Sequence, residues 1–241
     1  MPSDYPQRRQ NLVYGGKSGF VGYLMIRPPG PWRMYWKTLA GSVLWMDFNQ
    51  CQAIDLSGHE NNGTIYGAQC VPGRSGKALS FDGVDDYVKV PNSESLNITD
   101  AITIVAWVYP TNLDEGFHVI AQKRAGAGRG YALWFYSNDL SFGVETASGW
   151  QYACVAGIGE LNKWQHAAGT FNSATGELVI CKNGVCYEFS KTAEKIIPGT
   201  DNLYVGSNDG ATYFFNGLID EVRIYNRALS EEEIKWLYEH T

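Results

Sequence analysis

The amino-acid sequence predicts an all-β protein, a two-sheet antiparallel sandwich with an extended arm before it and a short helix after it. Short segments with period-two alternation recur from residue 42 onwards, separated by Gly, Asn and Asp turns. The composition agrees, with 27 glycines, 14% aromatic residues and only 18% charged residues. A length of 241 residues suits one large sandwich plus an arm.

Residues 1–41 form the arm. Their glycines, prolines and aromatics ("VYGGKSGF", "RPPGPWRMYW") cannot bury a core alone, so order there depends on packing against something else. Residues 42–241 form the sandwich. "SVLWMDF" opens the strand series and "GTIYGAQCV" follows a turn-rich loop, "DLSGHENNG". "KALSFDG", "DYVKVP" and "AITIVAWVYP" come next, the last alternating Ile102, Ile104, Ala106, Val108 against Thr103, Val105, Trp107, Tyr109. "HVIAQKR" and "GYALWFYS" flank a Gly-rich loop, and "LSFGVET", "WQHAAGTF", "ELVIC", "VCYEF", "NLYVGS" and "LIDEVRIY" complete the set. The helix closes the chain: Ser230 caps it, Glu233 stands at the third position of a capping box, and Ile234, Leu237 and Tyr238 share one face.

The last strand carries an anomaly. Strict alternation puts Leu218, Asp220, Val222 and Ile224 on the core face and Glu221 and Arg223 on solvated sheet surface. Asp220 then needs a partner, because an isolated buried carboxylate is too costly. A catalytic acid, a metal ligand and a structural hydrogen-bonding group are the roles open to it.

The net charge of −6 is unevenly spread. Residues 1–40 hold six bases (Arg8, Arg9, Lys17, Arg27, Arg33, Lys37) and one acid, Asp4, so a basic arm precedes an acidic body. The bases are scattered and no nucleic-acid-binding module is visible, so nucleic acid is not an expected partner. No signal peptide and no membrane span is read, since Pro28, Pro29 and Pro31 break the one apolar stretch near the start. Five cysteines leave at least one unpaired within the chain. Asn183-Gly184 predicts a two-residue hairpin that sets Cys181 opposite Cys186, either a solvent-side disulfide or two reduced thiols.

These segments resemble a known family. "GRSGKALSFDGVDDYVKVPNSESLNITDAITIVAWVYP", "KWQHAAGTF…GELVICKNGV" and "FNGLIDEVRIYNRALSEEEIKWLY" are similar to the laminin-G-like jelly roll of the concanavalin A-like lectin/glucanase superfamily. "VLWMDFNQ…DLSGHENNGTIYGA" resembles that family's opening strand and first loop. The resemblance covers about residues 42–240 and leaves out the arm. It implies a structural calcium between the first loop and the last strand. Carried to this chain, its ligands are Asp220 with Asp47 or Asn49, plus Asp55, Ser57 and Asn61; the alternative is that Asp220 accepts loop amides without metal.

Catalysis is not expected. Glycan hydrolysis needs two carboxylates on one face, whereas Asp220 and Glu221 are adjacent on a strand, and Asp82, Asp85 and Asp86 lie around a turn. Exposed aromatics suit sugar stacking, and Trp134, Tyr136 and Trp150 in the central hairpin are the candidates. The expected role is a non-catalytic surface component of a virus or phage particle, anchored to other particle proteins through residues 1–41 and meeting glycans or a host surface with its sandwich. A homo-oligomer or larger assembly is expected with it. The alternatives are a free carbohydrate-binding or adhesion module and, third, a glycan-active hydrolase or lyase. The location expected is a virion or extracellular surface, with the cytoplasm as the alternative.

Overall fold

A computed structural model describes residues 40–124 and 128–241. The arm therefore falls, up to residue 39, outside the described residues. The strands are β1 (Ser42–Met46), β2 (Thr64–Tyr66), β3 (Gln69–Pro72), β4 (Lys77–Asp82), β5 (Tyr87–Val90), β6 (Ala101–Pro110), β7 (Phe117–Lys123) and β8 (Tyr131–Tyr136). They continue as β9 (Asp139–Thr146), β10 (Gly149–Val155), β11 (Gln165–Asn172), β12 (Glu177–Lys182), β13 (Val185–Ser190), β14 (Leu203–Val205) and β15 (Asn216–Tyr225), with helix α1 (Glu231–His240) last.

The strands form two antiparallel sheets, the expected jelly-roll sandwich. One has eight strands in the order β13-β12-β11-β6-β15-β4-β3, with β1 also on β15; the other has seven, β10-β9-β8-β7-β14-β5-β2. Ile102, Ile104, Ala106 and Val108 of β6 face the intersheet core, where they join Leu133, Phe135, Leu140, Phe142 and Val144 of the opposite sheet. Phe142 packs on Gly169 of β11, which has no side chain to hold the sheets apart. Truncating Phe142, which is fully buried, would cost about 3–5 kcal/mol.

Strand β15 departs from strict alternation. It pairs with β4 over Asn216–Ile219 and with β1 over Val222–Tyr225, and its register on β6 shifts between Asp220 and Arg223. Glu221, at φ 51°, is the extra residue of a bulge at that change of partner. The inserted residue reverses the faces. Ile219, Val222 and Ile224 lie in the intersheet core, while Asp220 pairs with Trp107 on the outer face. The expected row of Leu218, Asp220, Val222 and Ile224 is thus broken, and Leu218 is only half-buried.

The outer face of the eight-stranded sheet is covered in part by α1. Ser230 accepts the Glu233 amide at 3.3 Å and the Ser230 amide donates to Glu233 Oε2 at 2.9 Å, closing the capping box. Ile234 and Leu237 pack on Val105, Ala168, Tyr225 and Cys181. Arg227 grips Glu233 in a fork, at 3.0 and 2.9 Å.

Candidate functional site

The outer face of the seven-stranded sheet carries a groove of about 560 Å³, floored by β7, β8, β9 and β10. Register explains its lining. Gln122, Ala132, Gly143 and Tyr152 form one cross-strand row; Val119, Trp134, Ser141 and Cys154 form the next; Phe117, Tyr136 and Asp139 form the third. Trp134, only 7% exposed, packs with Val119, Ala132 and Trp150 as the floor. Tyr136 and Tyr152, at 45% and 50%, present accessible rings.

Trp150 reaches this groove because position 143 is glycine. A Cβ there would lie 2.7 Å from Cζ2 of the indole and 2.8 Å from Cβ of Tyr152. The Trp150 ring lies 6.0 Å from that of Trp134 and stacks under Arg124, whose Cζ is 4.3 Å from the ring centroid. Phe117, Tyr136 and Tyr213 cluster at the other end, Phe117 lying 4.9 Å from each. The 206–213 loop makes a side wall: Asn208 bonds Gln122, and Asn208 Nδ2 donates to Thr212 at 2.9 Å. Asp139 accepts the Gly157 amide at 2.7 Å. Apolar rings with a few fixed polar groups suit a ligand that has both apolar faces and hydroxyls.

All three sugar-stacking candidates, Trp134, Tyr136 and Trp150, line this groove. Sequence reading missed Tyr152, although it follows Trp150 with strand periodicity and so shares its face. Phe117, Arg124, Gln122, Asn208 and Tyr213 come from distant segments, and no local pattern marks them.

The six calcium candidates fall elsewhere, Asp55, Ser57 and Asn61 in the first loop and Asp47, Asn49 and Asp220 around the β3–β4 turn. Asp55 accepts the Trp45 amide at 3.0 Å, the Ser57 amide at 2.9 Å, the Ser57 hydroxyl at 2.8 Å and the Asn61 amide at 3.0 Å. Asn61 in turn donates to Val43 O at 2.7 Å and accepts from Ser93 at 2.6 Å. Asp47 accepts the Asn49 amide and side chain, both at 3.0 Å, while Asn49 accepts the Lys77 amide at 2.9 Å. Asp220 is fully buried and accepts the Ser75 amide at 3.0 Å and the Glu221 amide at 2.7 Å. These oxygens accept protein donors, and Asp47, Asp55 and Asp220 do not form one convergent carboxylate trio; Asp220 and Asn49 both meet the β3–β4 turn, through Ser75 and Lys77. Among the described residues one acidic trio converges, Asp82, Asp85 and Asp86, and it makes turn hydrogen bonds: Asp82 accepts the amides of Val84 at 2.8 Å and Asp85 at 3.3 Å.

Two further expectations need correction. Asp220 ties the last strand to the β3–β4 turn, not to the first loop. Burial holds its carboxyl up at about 7 against the pull of the loop amides. Glu221 and Arg223 are not solvated: both are 6% exposed, and they pair at 2.6 Å. Trp45 seals them, donating Nε1 to Glu221 at 3.0 Å while its ring stacks 4.4 Å from the Arg223 guanidinium.

Cys181 and Cys186 form a disulfide with Cα atoms 4.0 Å apart. It is not on the solvent side, since Cys181 is fully buried beneath α1. A second bridge, unforeseen, joins Cys51 to Cys70 across 19 residues and leaves Cys154 as the free, exposed thiol.

A two-sheet sandwich of this strand order is a lectin-like jelly-roll domain. The laminin-G-like family described as the concanavalin A-like lectin/glucanases superfamily matches residues 82–235, and the chain belongs to it. C-reactive protein 1.1 of Limulus polyphemus is 26% identical over 182 residues, which span 66% of this chain and 75% of that protein. Among solved structures, the binding domain of Paraclostridial Mosquitocidal Protein 1 superposes with a TM-score of 0.70 at 20% identity, over 83% of this chain and 52% of that one. This chain therefore spans about half the length of that toxin domain. Domain 4 of an extracellular GH43 arabinanase from Geobacillus stearothermophilus, solved with arabinotriose, gives 0.67 at 20% identity, over 82% of this chain and 98% of that one. The binding domain of botulinum neurotoxin DC, solved with SialylT, gives 0.65 at 17% identity, over 84% and 52%. No helix among the described residues is long and apolar enough to cross a membrane.

Proposed function

We propose that this chain is a non-catalytic carbohydrate-binding module whose site is the aromatic groove on the seven-stranded sheet. One observation carries the reading: accessible Tyr136 and Tyr152 stand over a Trp134–Trp150 floor, beside the polar side chains of Gln122, Ser141 and Asn208. Flat rings stack on sugar faces, and the polar groups pair with hydroxyls. The groove lining supplies one carboxylate, Asp139, where glycoside hydrolysis needs two. The arabinanase domain holding arabinotriose and the neurotoxin domain holding a sialyl compound support a binding role over a catalytic one.

Two disulfides favour an oxidising, extracellular setting. Display on a particle would add anchoring through the basic arm; particle association lost on deletion of residues 1–41, with glycan binding kept, is the outcome that role requires. For the groove itself, a glycan array followed by calorimetry is the test. Wild type should bind at least one oligosaccharide, and Trp134→Ala and Tyr152→Ala should each weaken it about tenfold, as expected for loss of a stacked ring with its buried area. Binding unchanged in both variants would place the site elsewhere.

A further inference from the structure

Arg124 closes one end of the groove, and it is held in place there. Its guanidinium stacks on Trp150, its Nε donates to Gly128 O at 3.0 Å, and its carbonyl accepts Gln122 Nε2 at 2.6 Å. Gln122 is in turn bonded to Asn208 in the wall. Yet no described carboxylate lies within ion-pair reach of Arg124. Arg223 and Arg227, by contrast, pair with Glu221 and Glu233 at 2.6 and 2.9 Å. In a chain of net charge −6, acids are not scarce, yet none of the described ones is placed against Arg124. A guanidinium oriented by a ring and a carbonyl, with its terminal N–H groups free of described partners, is ready to take a planar or tetrahedral anion in a fork.

The opposite end carries the contrary sign. Asp139 pairs with Tyr136 at one end of β8, while Arg124 follows Lys123, which pairs with Tyr131 at the other end. At strand rise the two positions are roughly 20 Å apart, with the aromatic rings between them. A ligand that meets both ends must be an oligomer, and its orientation is set by charge.

We propose that the groove selects an acidic oligosaccharide, bearing a carboxylate or sulfate, with the anionic group on Arg124 and the chain running over Tyr152 and Tyr136 towards Asp139. This rests on the carbohydrate-binding reading above and names its ligand class. The acidic body gives no long-range attraction for such a ligand, so selection falls on this one contact.

The experiment is a glycan array carrying uronate-, sialate- and sulfate-bearing oligosaccharides beside their neutral counterparts, with calorimetry on the best pair. It uses wild type, Arg124→Gln, Arg124→Lys and Trp134→Ala. Wild type should prefer the acidic member by about tenfold or more, the usual strength of a hydrogen bond to a charged group. Arg124→Gln should abolish that preference, bringing the acidic and neutral members to equal affinity. Arg124→Lys should restore part of it, because a point charge replaces a fork. Uronate and sialate responders identify a carboxylate ligand, sulfate responders a sulfate ligand; either outcome supports the proposal. Equal wild-type binding of acidic and neutral members, or a preference kept by Arg124→Gln, overturns it while leaving the groove a sugar site. No glycan bound by wild type defeats both readings. Trp134→Ala should weaken acidic and neutral ligands alike, which separates the floor from the anion contact.

Discussion

Gly143 lies directly beneath the Trp150 indole, so close that a Cβ would sit 2.7 Å from Cζ2 of the ring. One strand's missing side chain thus sets where the next strand's largest ring can lie. Gly143→Ala should push Trp150 out of the groove, destabilise the domain by about 1–3 kcal/mol as overpacking does, and weaken oligosaccharide binding. Tryptophan fluorescence and calorimetry on the folded variant check it. Wild-type affinity with a shifted emission would show that Trp150 is not part of the ligand surface.

Asp220 and His166 flank Trp107 on the outer face of the eight-stranded sheet, one on β15 and one on β11. Their titrations act on stability with opposite signs. Burial raises Asp220 from 3.8 to about 7, so its native form holds a proton that the unfolded chain has lost; stability falls as pH rises through that window. Burial, with Arg223 and Arg74 adding to it, lowers His166 from 6.5 to about 3, so the unfolded chain takes up the proton first and stability falls as pH drops. Between pH 4 and 6.5 the slopes oppose, each at most about 1.4 kcal/mol per pH unit. Asp220→Asn should therefore steepen the loss of stability on acidification, and His166→Phe should expose a loss on going from pH 4 to 7. Denaturant midpoints across that range measure both. Parallel curves for the two variants and wild type would contradict the assignment.

How far the sequence could be read depended on whether the backbone kept its period. Strand β6 keeps it, so the inward faces of Ile102, Ile104, Ala106 and Val108 are legible from alternation alone. Strand β15 does not, because Glu221 takes a positive φ that few non-glycine residues adopt, and nothing in "GLIDEVRIY" announces a bulge. That one residue moved Asp220 off the core face, while Trp45 covers Glu221 and Arg223, which alternation alone leaves on open sheet surface. In the groove, Trp134, Tyr136 and Trp150 were legible because a hairpin puts near-sequence rings together. Arg124, Gln122, Asn208 and Tyr213 meet them only through strand order and loop closure.

Chelation provides a direct check on the metal-free account of Asp220. Its oxygens accept the amides of Ser75 and Glu221, and those of Asp55 are filled by Trp45, Ser57 and Asn61. Networks closed by protein donors should hold without an ion. Adding EDTA, or excess calcium, should leave the Tm unchanged, since a ligand that binds only the native state must raise it. A calcium-dependent rise in Tm that Asp220→Asn abolishes would reverse that conclusion.

The two disulfides should differ in weight. Cys51–Cys70 closes a loop of 19 residues and joins the segment after β1 to edge strand β3, whereas Cys181–Cys186 closes a tight hairpin of separation 5. In the loop-entropy account the longer loop is worth about 3 kcal/mol and the shorter about 2 kcal/mol, before any packing change. Replacing Cys51 and Cys70 together by Ser should thus lower stability by about 3 kcal/mol. Replacing Cys181 and Cys186 by Ala should lower it less by entropy, but Cys181 is buried under α1, so part of the loss should appear as a looser helix. Urea unfolding gives the totals, and hydrogen exchange at Ile234 and Leu237 separates the terms. Faster exchange there in the Cys51/Cys70 variant alone would show that the first-loop bridge, not the hairpin bridge, supports the helix.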